Sequence, residues 1–143
     1  MFQRILVAVD ATPARHAVVR LAGGLASLTG AEVRVVHVVA SAATLAAVVP
    51  LEGDDEAKAV LDDAVTALRE RGVAAEATLA TGLTTQIATT IAEAADLFDA
   101  DLLVLGPHHR SLVETFFTPR VSDTVAHGST RAVLLAPEKP AED

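Results

Sequence analysis

Apolar residues along this chain fall into two alternating rhythms. Short, nearly continuous runs stand at 4–10 (RILVAVD), 31–39 (AEVRVVHVV) and 101–105 (DLLVL), each of strand length. Runs of this kind suit strands covered on both faces, as in a parallel sheet. Residues 73–81 alternate only in part, which suits an edge strand, and Ala132 to Ala136 form a fifth run. Between the runs, apolar positions recur at helical spacing. Val18, Val19, Leu21, Ala22, Leu25, Ala26 and Leu28 make one such face. Val60, Leu61, Ala64, Val65 and Leu68 make the second, and Ile87, Ile91, Ala94 and Phe98 the third.

Boundary residues agree with this division. Thr12 is placed to cap the first helix, with Pro13 at its first position, where the missing N–H costs nothing. Gly30 ends that helix, and Gly72 ends one over Asp54–Arg71, where Arg69 and Arg71 complement the dipole. After Gly82, Thr84 or Thr85 caps a helix running to about Phe98. Thr118 and Pro119 open a further helix to about residue 127, stopped by Gly128. Residues 40–53, ending at Pro50 and Gly53, read as a loop with a short helical turn. The tail 138–143 reads as frayed.

Strand and helix thus alternate through the whole chain. Right-handed crossovers then give one α/β domain over residues 1–143, with three layers and a Rossmann-like five-stranded parallel sheet. Its simplest strand order is 3-2-1-4-5, with helices on both faces. Ligands of such sheets sit beyond the carboxyl ends of the strands, where the order reverses. That rule puts Asp10, ending the first strand, across one crevice from Gly106, ending the fourth.

Charge and composition narrow the chemistry. A net charge of −8 opposes nucleic acid and anionic membrane surfaces as partners. Four Phe with no Trp or Tyr leave no aromatic platforms for stacking bases. The absence of cysteine removes disulfides, thiol nucleophiles and Cys-bound metals. No secretory leader pattern precedes the first strand, and no apolar stretch approaches the ~20 residues of a membrane span, so the expected compartment is the cytoplasm.

Few residues carry candidate chemistry. Asp10 has two readings: an acceptor for ligand hydroxyl or amine groups, or a turn-former bonding the backbone ahead of the helix. Gly106 marks either a close approach by ligand or backbone, or an ordinary turn. Thr118-Pro119-Arg120 could offer an anion the free amides of a helix start plus a fixed charge, or could be a capped helix with a solvated Arg. His37, inside an apolar strand, reads as a hydrogen-bonded core histidine, and His16 as helix surface. His108 and His109 are adjacent and diverge in an extended loop, so they do not chelate one metal. His127 falls in the last turn of a helix, where positive charge is favoured. No nucleophile elbow and no Gly-x-x-x-x-Gly-Lys-Ser/Thr loop is present.

RILVAVD at the start and VRVVHVV in the second strand resemble the universal stress protein family. So do the long segment ATGLTTQIATTIAEAADLFDADLLVLG and VSDTVAHGSTRAVLLAP near the end. Their order and spacing carry the resemblance over nearly the whole chain. It implies a UspA-like domain of the adenine nucleotide alpha hydrolase-like type, usually a homodimer pairing through the last strand, here 132–136. The family has one branch that binds ATP through a Gly-x-x-Gly-x9-Gly-Ser/Thr loop after the fourth strand and one that binds no nucleotide. In the binding branch the equivalents of Asp10 and Val38 contact adenosine. Carried onto this chain, the ligand set is Asp10, Val38, Leu105, Gly106, His109, Arg120, Val121 and Ser122, holding ATP with Mg2+ or another adenine nucleotide.

The phosphate loop departs from that pattern. Gly106 matches the first glycine, but the second falls at His109, the third at Pro119 and the Ser/Thr at Arg120. A His at positive φ costs on the order of 1–2 kcal/mol, and Pro119 has no N–H to give a phosphate. Arg120 could substitute a charge-assisted bond. The leading expectation is a dimeric, non-enzymatic stress-response module with weak or no ATP binding, acting through an unidentified protein partner. The alternatives are an ATP-binding switch built on Asp10, Val38, Gly106 and Arg120, and a slow nucleotide hydrolase, for which no catalytic residue or metal set is apparent. Residues 40–53 and 107–118 are the segments expected to set partner specificity.

Overall fold

The computed structural model describes residues 2–43, 46–107 and 131–137. Strand β1 (Arg4–Val9) lies mid-sheet, paired in parallel with β2 (Glu32–Ala43) on one edge and with β5 (Leu102–Leu105) on the other. β4 (Ala75–Leu83) extends the sheet beyond β2, and β6 (Ala132–Leu135) extends it beyond β5, again in parallel. The parallel strands therefore run β4-β2-β1-β5-β6, which is the expected 3-2-1-4-5 order. β3 (Val48–Pro50) adds a short antiparallel strand to the far end of β2.

The sheet is apolar on both sides because both sides are covered. Ile5, Val7 and Val9, with Val33, Val35, Leu102 and Val104, face helices α1 (Arg15–Thr29) and α2 (Asp54–Glu70). Leu6 and Ala8, with Val36, Leu103 and Leu105, face α3 (Ile87–Phe98). The period of two along each strand thus divides one continuous apolar run between two cores. Asp101 fixes the lower end of β1, accepting the N–H groups of Gln3 at 2.8 Å and Arg4 at 3.1 Å.

Four expectations need correction. α1 begins at Arg15, not at Thr12, because the hydroxyl and N–H of Thr12 are both given to Asp10 and no side chain caps the helix. Pro13 lies in the turn before it. Leu28 projects from nearly the opposite side of α1 and is 86% exposed, whereas Gly23 is buried there. A Cβ on Gly23 would stand 3.2 Å from Leu68 and 3.3 Å from Arg71, so bare backbone lets α1 and α2 approach. Residues 40–53 are not a simple loop: β2 continues to Ala43 and β3 returns along it, with Leu51 N–H bonded to the Ala40 carbonyl at 3.0 Å.

The fourth correction concerns Gly82, which lies within β4 rather than after it. Residues Thr84–Gln86 form a 3-10 turn, and neither Thr84 nor Thr85 caps α3 with its side chain. A Cβ on Gly82 would meet Thr90 Oγ1 at 2.5 Å, so the glycine is required by the packing of α3 on β4. The helix ends follow the sequence more closely. Gly30 and Gly72 both sit at positive φ, 74° and 80°, and Asp99 takes the same conformation after α3 at 58°. The expected helix over 119–127 and the tail lie outside the described residues.

Candidate functional site

The switch point lies at the carboxyl ends of β1 and β5. In register, Ala8 pairs with Leu105 and Val9 with His37, so Val9, Asp10 and Gly106 crowd the rim where the strand order reverses. Asp10 is half-buried, and its Oδ1 accepts the Thr12 N–H at 2.8 Å and the Thr12 hydroxyl. The turn-forming reading of Asp10 is therefore realised. It commits Oδ1 to the turn and holds the residue at the crevice rim.

Arg15 fixes the same turn from the helix side. Its Nη1 donates to the carbonyls of Ala11 at 3.0 Å and Thr12 at 3.1 Å, and Nη2 lies 3.7 Å from Asp63 on α2. Sequence reasoning passed over Arg15. The available signal was a cation in a helix's first turn, where the dipole disfavours it and a tertiary role is needed to explain it.

Val38 contributes main chain to the crevice. Glu32 N–H bonds Gln3 on the β1 side of β2, Val33 N–H bonds Ala74 on the β4 side, and the Ala40 carbonyl again takes its partner on the β1 side. Alternation along the strand then turns Val38 towards β1: its N–H continues the ladder onto the Val9 carbonyl, as the Val9–His37 register requires, and its carbonyl faces the lane just past Val9. Its side chain packs on the α3 core. Leu105 offers less, since its side chain is fully buried and its carbonyl accepts the Ala136 N–H at 2.8 Å. Gly106 is buried, and a Cβ there would stand 3.1 Å from Val18 Cγ2. Its lack of a side chain is thus accounted for by α1, so it is no independent sign of a ligand.

His37 is the buried histidine that its apolar strand suggested, 4% exposed. Nδ1 lies 2.9 Å from the Val9 carbonyl and Nε2 lies 2.7 Å from Glu52 Oε1. Glu52 had not been singled out, and only its place two residues after Pro50 marks it in the sequence. His16 is exposed on α1, as expected. Asp10, Val38, Leu105 and Gly106 thus gather at one sheet end. His109, Arg120, Val121 and Ser122, like His108 and His127, lie outside the described residues. Among those described, no cluster of three or more His, Cys, Asp or Glu could hold a metal, and no helix is long and apolar enough to cross a membrane. A pocket of about 320 Å³ beside Arg34, Arg69, Glu76 and Phe98 lies at the other end of the strands, where Arg34 pairs with Glu76 at 3.2 Å.

This doubly wound sheet, with a carboxylate and the Val38 carbonyl at its switch point, defines an α/β domain of the nucleotide-binding type. Residues 1–137 match the model of the universal stress protein family, and the chain belongs to that family. Among solved structures it is similar to a universal stress protein family member from Burkholderia pseudomallei, with 26% identity and a TM-score of 0.70 over 94% of this chain and 96% of that one. It is also similar to the universal stress protein from Archaeoglobus fulgidus in complex with dAMP, with 25% identity and a TM-score of 0.66 over 94% and 98% of the two chains. A universal stress protein in complex with cAMP shares the fold at 24% identity and a TM-score of 0.66, over 96% and 98%. No curated protein matches the chain by sequence.

Proposed function

We propose that this chain is a non-catalytic, cytoplasmic stress-response module. Its switch-point crevice takes an adenine nucleoside monophosphate in preference to ATP, and two copies associate through the outer edge of β6. The observation that carries the ligand reading is the placement of Asp10 beside the Val38 carbonyl, one step past the Val9–His37 pair at the end of β1. That placement supplies a carboxylate for ribose hydroxyls beside a main-chain carbonyl that can accept from the adenine amine. The dAMP complex of the Archaeoglobus fulgidus relative supports the same ligand class.

The disfavoured triphosphate follows from residue chemistry. His109 and Pro119 stand where the family's phosphate loop has glycines, and proline has no N–H to give a phosphate. Without a clear general base, nucleophile or metal set, the reading is of a binding module. Unfolding with and without AMP tests it. Ligand at 100 times its dissociation constant raises stability by about 2.7 kcal/mol, and Asp10→Asn should abolish the shift. No shift up to millimolar AMP would remove the ligand part of the proposal.

A further inference from the structure

The hairpin segment after β2 occupies a defined place relative to the crevice. At Ser41, β2 pairs with Leu83 of β4 on one edge and with Pro50 of β3 on the other. β1 lies on that second edge and stops at Val9, opposite His37. β3 therefore continues the lane of β1 beyond its end, and the chain then returns towards it. Leu51 is bonded opposite Ala40, and Glu52 reaches His37. The gap left in the lane is the one faced by the Val38 carbonyl. Residues 46–52 thus form a strap across the open end of β1.

One side chain ties the strap down. His37 bridges the Val9 carbonyl, at the end of β1, to Glu52, at the end of the strap. Proton counting fixes what this bridge needs. A carbonyl only accepts, so Nδ1 carries a hydrogen, and the 2.7 Å Nε2–Oε1 contact holds one further proton between ring and carboxylate. Beyond this bridge, Val48 and Leu51 of the strap stand largely in solvent, 61% and 62% exposed. A three-residue antiparallel strand is marginal without added contacts.

We propose that residues 46–52 are a lid over the switch-point crevice and that His37–Glu52 is its latch. The proposal rests on the crevice being the ligand site, but the latch can be tested without a ligand. Since the chain has no cysteine, a single thiol can report on opening. Val9→Cys places it at the covered end of β1, where Val9 is 3% exposed, and Val104→Cys places a control in the core at 0%.

The rate of thiol labelling is measured in the full chain, alone and combined with Glu52→Ala or Glu52→Gln. A buried hydrogen bond of ordinary strength predicts labelling at Val9→Cys about 10-fold faster with Glu52→Ala. With Glu52→Gln, whose amide can donate to Nε2, the rate should stay near that of the Val9→Cys parent, and Val104→Cys should be unaffected throughout. Equal rates at Val9→Cys in all backgrounds would overturn the latch. Acceleration at both reporters would also overturn it, since that marks general loosening. Adding AMP then distinguishes the two claims: protection of Val9→Cys joins lid to ligand, whereas a working latch with no AMP effect removes the ligand reading and leaves the lid.

Discussion

Asp10 serves the fold and, in the proposed function, the ligand, and substitutions can separate the two roles. Asn keeps an oxygen for the Thr12 N–H and hydroxyl, so Asp10→Asn should leave the urea midpoint nearly unchanged while nucleoside binding falls. Ala removes the acceptor, so Asp10→Ala should also cost about 1 kcal/mol of stability. Gly106 makes a sharper steric prediction. Its Cβ position lies 3.1 Å from Val18 Cγ2, so Gly106→Ala should destabilise by about 1–3 kcal/mol in urea unfolding. In a Val18→Ala background much of that penalty should vanish. A full penalty in both backgrounds would show that Val18 is not what excludes a side chain at 106. At this scale the sequence was only half legible. It offered Asp10 as turn-former or ligand group, and the distance to Thr12 decided that the first holds. Arg15 and Glu52 were hard to read because Asp63 and His37 reach them only by tertiary contact.

The central strands were legible because burial on both faces makes them apolar without interruption, and no competing pattern resembles that. Helix ends were legible where the chain needs positive φ, as at Gly30 and Gly72. Asp99 does the same work after α3 without being glycine, so Asp99→Gly should raise stability by about 1 kcal/mol in thermal unfolding. Its exposed ion pair with Arg4 at 3.4 Å subtracts little from that gain. An unchanged or lowered midpoint would show that the left-handed conformation is not costly there. β3 was illegible because Ala40 to Ala47 has small residues at nearly every position and hence no alternation to read. Only Val48 and Val49 hint at a strand. Gly82 misled because a glycine before threonines looks like a helix entry, while its actual task is to admit Thr90 against β4.

The molecule places Asp10, Val38, Leu105 and Gly106 at one end of a sheet whose rigidity comes from two separate cores. Association through the outer edge of β6 is a prediction at this scale: sedimentation velocity should find a single species of two chains, and Val133→Pro, which breaks an edge strand, should leave one. Persistence of the dimer would move the interface elsewhere. The central claim is a ligand preference set by residues 109 and 119 against an adenosine site at Asp10 and Val38. Restoring glycine at both positions, His109→Gly with Pro119→Gly, should strengthen ATP binding and leave AMP binding unaltered. The most direct measurement is calorimetric titration of the unaltered protein with AMP and with Mg-ATP in the same buffer. The account predicts that AMP binds at least as tightly as ATP; ATP binding 10-fold or more tighter than AMP, about 1.4 kcal/mol or more, would contradict it.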